Sequence, residues 1–313
     1  MSDLIVQVDG LTKRFDRAVA VDNLSFEAQR GEILGLVGPD GAGKTTTLRI
    51  LAGVLPADAG HVTIEDRDVL REPETVKSHI SYMPQQFGLY EDLTVAENVR
   101  FYADIFEVSP AQRRQREQQL LEASGMSRFR DRLAGQLSGG MKRKLGIACA
   151  LIHTPQLLLL DEPTTGVDPV SRRELWSILY SLVFERVTVL VATAYLDEAE
   201  RCHRLLLMHQ GRRLFFGTPA ELKSILPGAV LSVSSPNPDA LSAVAKSVAG
   251  VSSVTAMGDA LHVMVDDATQ RLPQLQAAFE RAGVPFADLR RISASVEDVF
   301  VYAISHQKAT KAS

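Results

Sequence analysis

Eight residues, Gly38-Pro39-Asp40-Gly41-Ala42-Gly43-Lys44-Thr45, have the types and the spacing to hold a polyphosphate. They spell G-x-x-x-x-G-K-T between an apolar run, Ile33 to Val37, and a stretch of helical periodicity with Leu48, Leu51 and Ala52 on one face. Glycine backbone turns its N–H groups toward phosphate oxygens with no side chain in the way, and the helix start adds its positive dipole. The expected nucleotide-binding set is Gly38, Asp40, Gly41, Ala42, Gly43, Lys44, Thr45 and Thr46. Within it the Lys44 ammonium reaches the β- and γ-phosphates and the Thr45 hydroxyl ligates Mg²⁺.

Further segments carry compatible chemistry. Leu157-Leu158-Leu159-Leu160-Asp161-Glu162 reads as a buried parallel strand that ends in two acids. Alone it is equally a structural carboxylate pair. Downstream of a phosphate loop it assigns Asp161 to the Mg²⁺ shell and Glu162 to polarising water as general base. Gln85, in a loop after a strand, is expected to meet the metal or the attacking water through its side-chain carbonyl. Ser138-Gly139-Gly140 opens a helix, where Ser138 is a good N-cap and the bare glycines leave the helix start open to a second anion. The same residues also make an ordinary Ser-Gly-Gly turn. Phe15, ahead of the phosphate loop, either stacks on adenine or joins the core.

These side chains need a scaffold, and the chain has the length for it. Its 313 residues, 45% apolar and 23% charged, have the balance of one large or two ordinary soluble globular domains. A formal net charge of −4 gives no electrostatic reason to expect nucleic acid as the partner. Cys149 and Cys202 fit no metal-binding spacing and are expected as reduced packing residues. No signal peptide is expected from Met1 to Ile5, and no apolar run approaches the ~20 residues that span a bilayer. Work at a membrane would require something else to hold the chain there.

Short strands are expected at Leu4–Val8, Val19–Val21 and Leu24–Glu27, turning at Asp22-Asn23, with further strands at His61–Ile64, Ile80–Met83 and Val187–Val191. Residues from about 94 to 153 read as largely helical, with Val95, Val99 and Tyr102 on one face and the Arg113–Glu117 run on a solvated one. A helix follows at about 170–185. Alternation of strands and helices implies a mainly parallel sheet covered on both faces.

Together the phosphate loop, the Gln85 loop, Leu137-Ser138-Gly139-Gly140, the Leu₄-Asp-Glu strand and the Gly166-Val167-Asp168 loop resemble, in that order, the ATP-binding subunit of an ABC transporter over residues 3–225. The wording around Tyr82–Gln85, Leu93–Asn98 and Leu196–Glu200 resembles the branch that exports drugs or lipids. The resemblance implies a P-loop α/β fold of ABC type: a parallel-sheet core, an antiparallel β subdomain and a helical signature subdomain at about 87–153. It implies ATP and Mg²⁺, and a head-to-tail dimer with a second ABC ATPase subunit, identical or different. Lys44, Thr45, Gln85, Asp161 and Glu162 of one subunit would then face Ser138, Gly139 and Gly140 of the other, with Asp168 also at the nucleotide and Phe15 stacked on adenine. The chain would sit on the cytoplasmic face of the inner or plasma membrane, peripherally, through an integral-membrane permease contacted by Phe87, Leu89 and Tyr90, with no nucleic acid involved. Soluble ABC ATPases of translation or DNA repair are the alternative class, but they carry fused halves, long coiled coils or zinc cysteines that this chain lacks.

Three residues depart from the family pattern. Met141 stands where glutamine is usual, and Asp40 where asparagine is common. Ala194, in Val191-Ala192-Thr193-Ala194-Tyr195-Leu196, stands at the switch histidine, and a methyl group cannot hydrogen-bond a γ-phosphate. A weakly hydrolysing site of its own, beside an intact signature that serves a partner, is the expectation; a non-hydrolysing regulatory subunit is its extreme form. Beyond the Leu226-Pro227-Gly228 linker, residues 229–304 read in β-α-β-β-α-β order as a small ferredoxin-like accessory domain that supports pairing. Residues 305–313 read as a disordered tail.

Overall fold

A computed structural model of the chain describes residues 3–311, with side chains described from 3 to 304. The chain divides into two compact units after Gly217. The core of the first is a six-stranded sheet in the order β10 (Arg212–Gly217), β9 (Arg204–His209), β3 (Ile33–Val37), β8 (Thr188–Thr193), β7 (Leu157–Asp161), β6 (Ile80–Met83). All neighbours run parallel except β10, which is antiparallel to β9 at the edge.

Every residue of β3, β7 and β8 is buried, as the unbroken apolar runs require of strands covered on both faces. Successive side chains serve different cores. Ile33, Leu158, Leu160, Val189 and Val191 pack with the helices α5 (Gly139–Ala150) and α6 (Pro169–Phe184), around Leu145, Leu175 and Trp176. Leu34, Leu36, Leu157, Leu159, Leu190 and Ala192 pack against α1 (Lys44–Leu51) and a second, antiparallel sheet. Short helices α2 (Pro73–Lys77) and α7 (Leu196–Ala199) complete the layers.

That second sheet has the order β2 (Ala18–Gln29), β1 (Leu4–Phe15), β4 (Ala59–Ile64), β5 (Arg67–Asp68). The short strands expected near the amino terminus are instead two continuous ones of 12 residues each. Turn-forming residues are absorbed as bulges: Gly10 and Asn23 take positive φ (61° and 49°) where the β1–β2 register shifts. Between β6 and α5 the chain forms α3 (Val95–Ile105), started by a Thr94–Glu97 capping box, and α4 (Pro110–Ala123). The Arg113–Glu117 run is not wholly solvated. The Glu117 side chain is only 3% exposed, with Arg100 at 3.1 Å and Arg130 at 2.9 Å. A buried carboxylate is retained because two guanidinium groups meet it.

The second unit opens with α8 (Pro219–Ser224), ahead of the expected linker, because α8 packs with the last helix, α11 (Val296–Lys311). Between them lie β11 (Ala229–Ser234), α9 (Pro238–Lys246), β12 (Val251–Met257), β13 (Ala260–Val265), α10 (Ala268–Arg281) and β14 (Ala287–Ile292). The sheet order β12-β13-β11-β14, antiparallel throughout, places the third strand between the first two and is the split β-α-β arrangement. Leu231, Val263, Leu275 and Phe279 centre its own core. The helix α11 is assigned to Lys311; the tail expected to be disordered, residues 305–313, lies outside the residues whose side chains are described, and residues 312–313 lie outside the described residues altogether.

Candidate functional site

In the six-stranded sheet, β6, β7, β8 and β3 are adjacent and parallel, so their carboxyl ends deliver four loops to one edge. Those loops carry Gln85, Asp161-Glu162, Ala194 and the glycine-rich stretch. The glycine-rich backbone requires its sequence. Gly43 has φ of 101°, and a Cβ there would run into the Ala20 carbonyl. Gly38 and Ala42 are buried, while Asp40 and Gly41 are exposed at the tip.

The Lys44 ammonium is buried and donates to the carbonyls of Gly38 (2.7 Å) and Pro39 (3.1 Å), with Glu162 Oε1 at 3.7 Å. Burial pushes its pKa below the ordinary lysine value, opposed by the charges of Glu162, Asp40 and Asp161. An anion brought to this ammonium therefore gains a desolvated charge to pair with. One residue on, the Thr45 hydroxyl donates to Asp161 Oδ1 at 3.0 Å. Asp161 is 2% exposed, and burial raises its pKa against the hydrogen bonds from Thr45 and Tyr82. Thr46 is half-buried in the same first turn.

Glu162 lies at the centre. Its Oε2 accepts hydrogen bonds from Gln85 Nε2 and Thr165 Oγ1, both at 3.1 Å. The backbone at Glu162 is left-handed, with φ of 50°, and its N–H donates to the Ala192 carbonyl at 2.9 Å. A non-glycine residue held in that region stores strain, as residues at reacting centres often do. The structure thus brings together Lys44, Thr45, Gln85, Asp161 and Glu162. Thr45, Asp161 and the Gln85 amide form a hard oxygen donor set of the kind Mg²⁺ takes when it shares its shell with phosphate, so these residues fit the ion.

Other expected site residues stand apart. No hydrogen bond among the described residues joins Ser138, Gly139 or Gly140 to this cluster. The exposed Ser138 caps α5 by accepting from Met141 N at 3.3 Å. Gly139 lines a groove of about 320 Å³ with Gln85, Phe87, Arg143 and Gly166, and Gly140 is buried against Ser171, leaving no room for a side chain. Asp168 is exposed and caps α6, its Oδ1 accepting from Val170 N and Ser171 N at 3.0 Å each; the Ser171 side chain, with these backbone donors, holds its pKa down. Phe15 ends β1 at 46% exposure, which removes the core alternative, and the Lys13 ammonium lies 5.5 Å from its ring centroid.

Ala194 is half-buried, and its neighbour does not replace an imidazole. The Thr193 hydroxyl is spent on the buried Glu198 carboxylate (2.7 Å), while the Thr193 carbonyl accepts from Gly38 N at 3.4 Å. Three contacts escape a reading of motifs. Tyr82 reaches Asp161 Oδ2 at 3.3 Å, Thr165 holds Glu162, and Arg143 donates to the Gln85 carbonyl at 2.5 Å. Strand alternation offered a signal for Tyr82; for the others only the fold does.

Residues 21–165 match the family described as ABC transporter. The chain is 47% identical over 240 residues to the probable multidrug ABC transporter ATP-binding protein YbhF of Escherichia coli (strain K12), covering 76% of this chain but only 41% of that one. It is 36% identical over 306 residues to the daunorubicin/doxorubicin resistance ATP-binding protein DrrA of Streptomyces peucetius, covering 96% of this chain and 92% of DrrA. Among solved structures, a dimeric post-hydrolysis state of the ATP-binding cassette MJ0796 bound to ADP and Pi matches at a TM-score of 0.62 and 27% identity, over 68% of this chain and 98% of that one. With the strand–loop–helix geometry at Lys44 and a near full-length relative above a third identical, the chain belongs to the ATP-binding proteins of ABC transporters.

Proposed function

We propose that this chain binds ATP to energise export through a separate membrane permease, and that its own nucleotide site turns over weakly. Export is supported by the names of the relatives, which are multidrug, daunorubicin/doxorubicin resistance and Nod factor export proteins. A separate permease is supported by the same names, which are those of ATP-binding proteins of transporters; no helix among the described residues is long and apolar enough to cross a membrane. In this reading the first unit, through Gly217, is the ATPase domain, with a helical subdomain at about 87–153, and the second, opening with α8, is an accessory domain.

The geometry supports the following roles. Lys44 and the backbone from Gly38 to Thr46 hold the β- and γ-phosphates. Mg²⁺, when bound by Thr45, Asp161 and Gln85, neutralises phosphate charge. Gln85 and Thr165 fix one oxygen of Glu162, so the carboxylate is oriented to take a proton from the attacking water. Phe15 offers an exposed ring to adenine. Exchange of Phe15 for alanine is expected to weaken ATP about tenfold, as loss of one base–aromatic stack does, and to leave tripolyphosphate binding unchanged. Equal weakening of both ligands would remove Phe15 from the base site.

Weak turnover rests on one observation: position 194 presents a methyl group at the edge where the phosphate loop, Asp161 and Glu162 converge, and the adjacent Thr193 hydroxyl is committed to Glu198. The exposed Ser138 and Gly139 remain available to complete a site in another subunit. The test is ATPase rate against protein concentration, with Glu162→Gln as the blank. The expected rate for the chain alone sits near the blank while ATP still binds. A rate per subunit that climbs steeply with concentration and vanishes in the blank would establish a self-sufficient homodimer instead. Truncation after Leu226 is expected to shift any such concentration dependence upward, as removal of a pairing domain requires.

A further inference from the structure

Asp161 is held from two sides. Its Oδ1 accepts from the Thr45 hydroxyl at 3.0 Å and its Oδ2 from the Tyr82 phenol at 3.3 Å. The two donors come from different elements. Thr45 is in the first turn of α1, whereas Tyr82 is on β6, paired in register with Leu159 of the neighbouring strand β7. Leu159 and Asp161 are two residues apart and share a face of β7, so the half-buried phenol lies alongside the carboxylate.

A carboxylate 2% exposed, with one donor on each oxygen, has no freedom to swing about its Cβ–Cγ bond. A divalent ion benefits from that restraint, because groups that orient a ligating carboxylate fix the direction of its lone pairs before the ion arrives. We propose that Tyr82 is a positioning residue for the metal-binding carboxylate of Asp161, fixing its orientation through Oδ2 while Oδ1 and Thr45 face the ion. This rests on the reading of Asp161 and Thr45 as Mg²⁺ ligands. Tyr82 touches neither phosphate nor water in this role, so it should govern ion affinity and leave the binding of metal-free nucleotide alone.

The experiment uses Mn²⁺ as the probe ion and the non-hydrolysed analogue AMP-PNP, with the full chain and its Tyr82→Phe variant, which loses one oxygen and keeps the ring. Mn²⁺ affinity of the protein–nucleotide complex is followed by the paramagnetic signal of free Mn²⁺, and nucleotide affinity is measured separately in EDTA. The expected result is about a tenfold loss of Mn²⁺ affinity in Tyr82→Phe, with AMP-PNP affinity in EDTA within about twofold. Unchanged Mn²⁺ affinity overturns the proposal. A fall of equal size with and without metal also overturns it, since that is damage to the site as a whole. If the unsubstituted chain gains no nucleotide affinity from Mn²⁺, the metal reading of Asp161 fails first and the role of Tyr82 falls with it.

Discussion

Replacement of Lys44 by alanine is expected to weaken ATP binding about a hundredfold, measured by equilibrium titration with a fluorescent analogue. Three features set the size. The ammonium is 3% exposed, so its attraction to a phosphate is little screened by water. Two of its three protons go to the carbonyls of Gly38 and Pro39, which aim the nitrogen within the loop and leave a donor for phosphate. Loss of a charge-assisted bond in such a setting costs about 2–3 kcal/mol, and loss of the cation also leaves Asp161 and Glu162 facing the incoming anion unopposed. The pH dependence has a definite sign. Burial lowers the Lys44 pKa from its ordinary 10.5, so the protonated form that binds phosphate is lost at a lower pH than for a surface lysine. Affinity should therefore decline on the alkaline side before pH 10.5, and in Lys44→Ala that decline should disappear. A variant that binds ATP as tightly as the parent would remove Lys44 from the phosphate site.

Much of this site is legible in the sequence because its chemistry is local. The phosphate loop needs contiguous glycines and a lysine at the helix start, and the buried strand Leu157–Asp161 announces itself by an unbroken apolar run. Its acids could be paired with Gln85 because all three sit at carboxyl ends of strands, and parallel strands deliver those ends to one edge. The succession of elements along the second unit was legible for a similar reason: its strands and helices are separate and punctuated by turns. What sequence patterns conceal is bulging and pairing at a distance. Asn23 looks like a turn and is a bulge inside one long strand. Glu117 looks solvated within its charged run, yet two arginines from elsewhere in the helical region draw it inside. Thr165 and Arg143 are ordinary polar residues until the fold sets them against Glu162 and Gln85. Asp168 carries two demands at once, since the same carboxylate that the family resemblance assigns to the nucleotide already satisfies the exposed N–H groups of α6.

Introduction of the missing imidazole by Ala194→His is expected to raise ATP turnover about tenfold or more, read as the steady-state rate at saturating ATP. A hydrogen bond to a charged phosphate contributes about 1.5–3 kcal/mol, and each 1.36 kcal/mol is tenfold in rate when the bond forms in the transition state. The backbone needed to present the ring is already in place. Thr193 is fixed by its carbonyl to Gly38 N and by its hydroxyl to Glu198, and Tyr195 N donates back to the Thr193 hydroxyl at 3.0 Å. Position 194 is thus held between two anchored neighbours rather than in a free loop. It is only half-buried, so a larger side chain has an exit toward the edge where the phosphate loop lies. The control is the double variant with Glu162→Gln. If the histidine works by completing this site, the gain should vanish there, because an oriented γ-phosphate without a base for the water reacts slowly. A gain that survives Glu162→Gln would place the activity elsewhere. No gain, together with robust turnover by the unsubstituted homodimer, would mean that Glu162, held by Gln85 and Thr165, suffices without a histidine, and the case for an unlike partner subunit would fall.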